Sequence, residues 1–296
     1  MKRHFFIPLA FIIIIIPKAF SQSYIDIFSF SYQPFFSTYK ANPNCKNKTE
    51  NYALNIFFPK ELKNNKTFLI RLNNELIRST ISPTPFYTSS LVSSSLPVGF
   101  QFGFKNEKWK SIAMIIPKIA ADFKDKIRSN DFQLGGLFLQ TYTYSEKLKF
   151  KAGLYYNREA FGSFFVPLVG IDWRATDRIM FYGILPTNYK LEFNCLKNKL
   201  YAGINFKSYT RSFRLSKMNG YDYVRYDEMQ LKSFFDYFIY KKIVLFAEAG
   251  YTLGKNPLQY INQTKNTTDV NLIYTPLLKS VVFNIGIAYR IRFDRE

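Results

Sequence analysis

The segment Val281 to Phe293 constrains the fold more than any other part of the chain. Its odd positions, Val281, Phe283, Ile285, Ile287, Tyr289, Ile291 and Phe293, are all apolar or aromatic. Its even positions carry Asn284, Gly286, Ala288, Arg290 and Arg292. A period of two places these sets on opposite faces of one β-strand, one suited to hydrocarbon and one tolerant of charge.

The same alternation recurs along the chain. Phe28, Phe30 and Tyr32 alternate with Ser29, Ser31 and Gln33. Tyr52, Leu54, Ile56 and Phe58 share a face, and Phe68, Ile70 and Leu72 oppose Arg71 and Asn73. Val98, Phe100, Phe102 and Phe104, begun by Leu96, oppose Gly99, Gln101 and Gly103. Further strands are expected over 109–121, 131–144, 148–156, 164–174, 178–185, 188–195, 200–212, 224–240 and 243–253. The count is about 14, or 12 if Pro186 merges strands. Short turns near 60–65, 106–108, 145–147, 175–177, 197–199 and 241–242 alternate with longer gaps near 35–50, 75–90, 122–130, 157–163, 213–223 and 254–278. Pro186-Thr187 is short where a long connection is due.

The first residues read as a secretory signal peptide: Lys2 and Arg3, an apolar run from Phe5 to Ile16, and Ala19-Phe20-Ser21 before a cleavage point at Gln22. The run is shorter than the roughly 20 residues of a spanning helix. Residues 1–21 are therefore read as signal and 22–296 as one domain. Aromatic residues make up 19% of the chain, with 32 Phe and 22 Tyr. Export, alternation and the absence of a long apolar run after Ser21 point to an all-β fold, a transmembrane antiparallel β-barrel.

On that reading the polar face lines a lumen. Arg71, Gln101, Lys149, Lys151, Asp172, Arg174, Glu192, Lys207, Lys232, Asp236, Glu248, Arg290 and Arg292 point inward by alternation. Basic residues outnumber acidic ones among them, which suits a water-filled passage attractive to anions; an ion-pair network filling the lumen is the other reading. Phe100, Phe102, Tyr289, Ile291 and Phe293 are expected to face lipid.

The formal charge is +20, and +17 once Lys2, Arg3 and Lys18 leave with the signal. No recognition helix, zinc spacing or phosphate loop accompanies it, so nucleic acid is not an expected partner. Outer-membrane lipid, lipopolysaccharide and the barrel-assembly machinery are. The only histidine is His4, inside the signal peptide. A His general base is thereby excluded from the mature chain, and no catalytic residue, metal or cofactor is expected. Asp122, Asp125 and Asp131 share a loop but match no calcium-binding spacing. Cys45 and Cys195 are too few for a disulfide framework and are expected to stay unpaired.

Gly286, Tyr289, Ile291 and Phe293 resemble the closing strand of bacterial outer-membrane barrels. The stretch Phe161-Gly162-Ser163-Phe164-Phe165-Val166-Pro167-Leu168-Val169-Gly170-Ile171-Asp172-Trp173, then Gly183-Ile184-Leu185-Pro186, Tyr189-Lys190-Leu191-Glu192, Tyr201-Ala202-Gly203 and Ser212-Phe213-Arg214-Leu215, resembles a domain-of-unknown-function family of Gram-negative outer-membrane β-barrel proteins. The resemblance implies barrel and location and carries no functional residues. Two classes follow: a porin-like channel for small, preferentially anionic solutes, or a structural, adhesive or assembly-partner barrel without conductance.

Overall fold

The computed structural model describes residues 23–38, 46–82, 89–104, 108–216, 222–253, 258–261 and 280–293. The segment read as a signal peptide, and Cys45, lie outside them. The described strands are β1 (Tyr24–Thr38), β2 (Lys46–Leu62), β3 (Lys66–Ser82), β4 (Ser89–Ser95), β5 (Val98–Gly103), β6 (Trp109–Ala121), β7 (Phe132–Ser145) and β8 (Leu148–Glu159). They continue as β9 (Gly162–Arg174), β10 (Ile179–Leu185), β11 (Asn188–Leu196), β12 (Leu200–Arg214), β13 (Tyr223–Tyr240), β14 (Ile243–Leu253), β15 (Leu258–Ile261) and β16 (Val281–Arg292).

β4 and β5, separated by Leu96-Pro97, both pair with β3 and β6 and fill one position in the wall. β14 and β15 both lie along β13. The wall thus has 14 antiparallel positions, and β1 closes it on β16. Closure leaves no sheet edge along the ring, which is what a β-fold in hydrocarbon requires.

Alternation sorts the side chains as the sequence pattern demands. Along β13, Glu228, Gln230, Lys232, Phe234, Asp236 and Phe238 are buried, while Met229, Leu231, Ser233, Phe235 and Tyr237 between them are exposed. Outside the wall stand Phe138, Leu154, Phe235, Leu245, Ile285 and Ile287, an exposed apolar band. Trp109, Tyr144, Trp173, Tyr237 and Tyr240 are exposed near the short-turn end. They form the aromatic girdle expected where a barrel meets the headgroups.

The short turns are Lys63–Asn65, Glu146–Lys147, Ala175–Arg178, Lys197–Lys199 and Lys241–Lys242. Asn64 and Asn65 adopt φ of 62° and 54°, the left-handed conformation that asparagine tolerates in tight hairpins. The opposite, loop end departs from the expected alternation twice. β8 and β9 are joined by Ala160-Phe161 alone, where a longer gap over 157–163 was expected, and β10 and β11 by Pro186-Thr187. Strands also run further than the periodicity suggests: Glu75 to Ser82 and Lys46 to Glu50 are strand, not loop. There polar residues occupy both faces, so the two-residue apolar pattern vanishes while the ladder continues.

The main surprise is at the loop end. Beyond Ser208, β12 has no β11 partner. It leaves the ring with β13 and crosses the mouth, where Arg214 pairs with Ala121 of β6, on the far wall. Phe213, Leu215 and Val224 then pack on Ile77, Leu91 and Ala120. The 12–13 hairpin is a lid made from the wall itself.

Candidate functional site

The lumen is chemically lopsided. On the side of β11 to β16 it is crossed by ion pairs. Glu248 on β14 accepts from Asn205 (2.7 Å) and Asn284 (3.0 Å) and lies 2.5 Å from Lys232 Nζ and 3.5 Å from Lys207 Nζ. Nearer the short turns, Arg290 Nε and Nη2 donate to Asp26 (2.6 and 3.0 Å), and its Nη1 donates to Asp236. Arg292 reaches across to Glu192 on β11, and Tyr182 donates to the same carboxylate at 3.0 Å. Tyr24 fills the space between: Lys190 Nζ donates to its hydroxyl at 2.7 Å, and the Arg290 guanidinium lies 3.8 Å from its ring centre. Stacking of this kind suits guanidinium, which is weakly hydrated.

The lid has its own fastenings. Glu159 at the end of β8 accepts from Ser212 N (2.9 Å) and Oγ (2.6 Å), and from Lys118 Nζ (2.9 Å). Asp122 N donates to Arg214 O (3.0 Å), and Ser216 N donates back to Asp122 Oδ2 (2.9 Å). Arg211 bridges Glu75 on β3 and Glu228 on β13. Asp131 accepts from Arg128 N, and no cluster of three metal-ligating residues occurs among the described residues.

The other side of the lumen is hollow. A cavity of about 310 Å³ is bounded by the inward faces of β1 to β3 and β5 to β8, by Pro97 and by Ile184. Its apolar walls include Ile25, Phe57, Leu69, Ile112, Met114 and Leu139; Arg71, Asn73, Gln101, Lys110, Thr141 and Lys151 supply the polar groups. Lys151 is paired with Asp172 at 2.7 Å, both buried. Arg71 stands opposite Phe57 in the ladder, its guanidinium 4.7 Å from the ring centre.

Each inward candidate now has a place. Arg71, Gln101 and Lys151 border the cavity, with Asp172 behind Lys151. Glu192, Lys207, Lys232, Asp236, Glu248, Arg290 and Arg292 belong to the network. Arg174 lines, with Glu192, a separate polar vestibule of about 460 Å³ at the short-turn end. Lys149 lies on β8 opposite Asp172 of β9. Among the described residues Arg71, Lys149 and Arg174 form no salt bridge.

The sequence reading missed Asp26, Glu75, Glu159, Lys190, Arg211 and Glu228. Glu75 and Glu159 lie past the expected strand ends, and Asp26 sits beside a register shift in β1. One orientation needs correction. Phe293, expected to face lipid, follows the end of β16 and packs on the Ile25–Phe57–Leu69 cluster. Its backbone N–H donates to Ser23 O, which holds the bend there. Phe100 is on the outside, 47% exposed.

No protein-family model matches the chain, and no curated protein is significantly similar to it. The resemblance to a family of unknown function therefore reaches the barrel class and no named family. Solved outer-membrane barrels are similar in fold. A FadL homologue of Pseudomonas aeruginosa is 8% identical, with a TM-score of 0.49 over 93% of this chain and 92% of that one. An outer-membrane channel of Pseudomonas putida F1 is 9% identical, with a TM-score of 0.44 over 90% and 96%. The translocator domain of the autotransporter NalP from Neisseria meningitidis is 11% identical, with a TM-score of 0.39 over 88% of each chain.

Proposed function

We propose that this protein is an outer-membrane channel for small solutes, anions preferred, seen here with its mouth shut by the β12–β13 lid. The observation that carries the reading is the unfilled, positively lined cavity inside a 14-position wall. Eight-stranded barrels are narrow enough for side chains to fill, whereas a ring of this size is not. Arg71, Lys149 and Arg174 supply inward positive charge that forms no salt bridge among the described residues, and such groups favour anions in pores. The reading includes export by a cleaved signal, insertion by the barrel-assembly machinery, contact with outer-membrane lipid and lipopolysaccharide, and no enzymatic activity.

The density of ion pairs favours a second reading, a structural barrel whose lumen is permanently closed. Planar-bilayer recording separates the two. The double variant Phe213→Ser, Glu159→Gln loosens the lid without touching the network. Wild type should show small, rare conductance steps and the variant larger, longer ones. Silence in both supports the structural barrel.

A further inference from the structure

The cavity beside Arg71 has the composition of a ligand site. At about 310 Å³ it falls at the lower end of the range for small-molecule pockets, roughly 300–1,000 Å³, which are mostly apolar with a few placed polar groups. Among the described residues its charged lining is basic, Arg71, Lys110 and Lys151, with no Asp or Glu. Lys151 is committed to Asp172. Arg71 touches the face of Phe57, and a guanidinium stacked on a ring keeps its in-plane N–H fork for a carboxylate.

We propose that this cavity binds a small amphipathic monoanion, a carboxylate on a compact aromatic or short aliphatic body. The carboxylate pairs with the Arg71 guanidinium, and the apolar body lies among Phe57, Leu69, Ile112, Met114 and Leu139. A cation is disfavoured by the basic lining. A neutral hydrocarbon offers nothing to the guanidinium, whose in-plane N–H fork matches a carboxylate. A long chain does not fit, because the ion pairs of β11 to β16 occupy the rest of the cross-section. The site deepens the channel reading, on which it rests for its biological meaning: it would select among solutes that have entered the lumen.

The test uses the full mature protein in lipid nanodiscs, free of alkyl detergent, and calorimetric titration with three probes of one shape: benzoate, benzyl alcohol and benzylammonium. Benzoate should bind saturably at one site, at least tenfold more tightly than benzyl alcohol, and benzylammonium should not bind. Added salt should weaken benzoate and leave benzyl alcohol unchanged. Arg71→Gln should bring benzoate down to the level of benzyl alcohol, and Arg71→Lys should retain part of the difference. Met114→Trp, which fills the cavity, should abolish both. Heat-modifiable gel migration reports whether each variant is a closed barrel. Equal binding of benzoate and benzyl alcohol, no benzoate binding by wild type, or an unchanged affinity in Arg71→Gln overturns the proposal. Conductance without benzoate binding removes the site and leaves the channel; binding by a barrel that never conducts keeps the site and removes the channel.

Discussion

Arg290→Met should destabilise the barrel by about 3 kcal/mol, at the lower end of the roughly 3–5 kcal/mol for breaking a buried ion pair from one side. The guanidinium holds two carboxylates together, those of Asp26 and Asp236. Its side chain is 4% exposed and that of Asp236 is 3% exposed. Without it, the cation left to Asp236 among the described residues is Lys190, whose Nζ lies 4.0 Å away. Asp26 is 27% exposed and can recruit water, which is why the lower end applies. About 3 kcal/mol corresponds to roughly a hundredfold in the folding equilibrium. The assay is urea unfolding from lipid vesicles, followed by the fluorescence of Trp109 and Trp173. The triple variant Arg290→Met, Asp26→Asn, Asp236→Asn removes the stranded charges and should recover at least half of the loss, because an absent pair costs less than a broken one. A loss below about 1 kcal/mol for the single variant, or a triple variant no better than the single, would refute the view that these charges are dry and mutually dependent.

Other outcomes follow from the same geometry. Ile285→Arg puts charge on the lipid face of β16, where the side chain is 55% exposed; a loss of roughly 2–4 kcal/mol is expected near mid-membrane, and refolding yield against Lys149→Ala checks it. Gly286 lies under the ring of Phe246, its ladder partner, and an added Cβ would sit 2.3 Å from both Phe246 Cζ and Phe30 O. An aromatic covering a strand glycine pins register, so Gly286→Val should impair refolding while Ala288→Gly has a smaller effect. Cys195 is free and exposed near the short-turn end. With that end in the periplasm, a membrane-impermeant maleimide should label it in permeabilised cells and not in intact ones; equal labelling in both contradicts the orientation.

Much of the wall was legible because lipid and lumen impose opposite chemistry on alternate residues. The β16 pattern, the 14 positions and the β7–β8, β11–β12 and β13–β14 turns could all be read from that contrast. It fails where polar residues stand on both faces, as over Glu75 to Thr80, where Ser79 is inward and Arg78 and Thr80 outward, and so strand ends were set short. It also fails where inside and outside cease to be the relevant faces. Phe213 and Val224 look like ordinary strand apolars, but they pack on Ile77 and Leu91 across the barrel. The ion pairs were half visible: alternation points Arg292 and Glu192 inward, yet only the closed ring brings β16 and β11 within reach. The cavity carried no local signal at all, since its walls come from strands spread from Ile25 to Ile184.

The central claim is a shut, anion-preferring passage, and reversal potential tests it most directly. The Phe213→Ser, Glu159→Gln variant is recorded in a planar bilayer under a potassium chloride gradient at low salt. Openings should reverse toward the chloride equilibrium potential, a preference reduced by Arg71→Gln and by raising the salt. Openings that reverse toward the potassium potential, or none in variant and wild type alike, would contradict it.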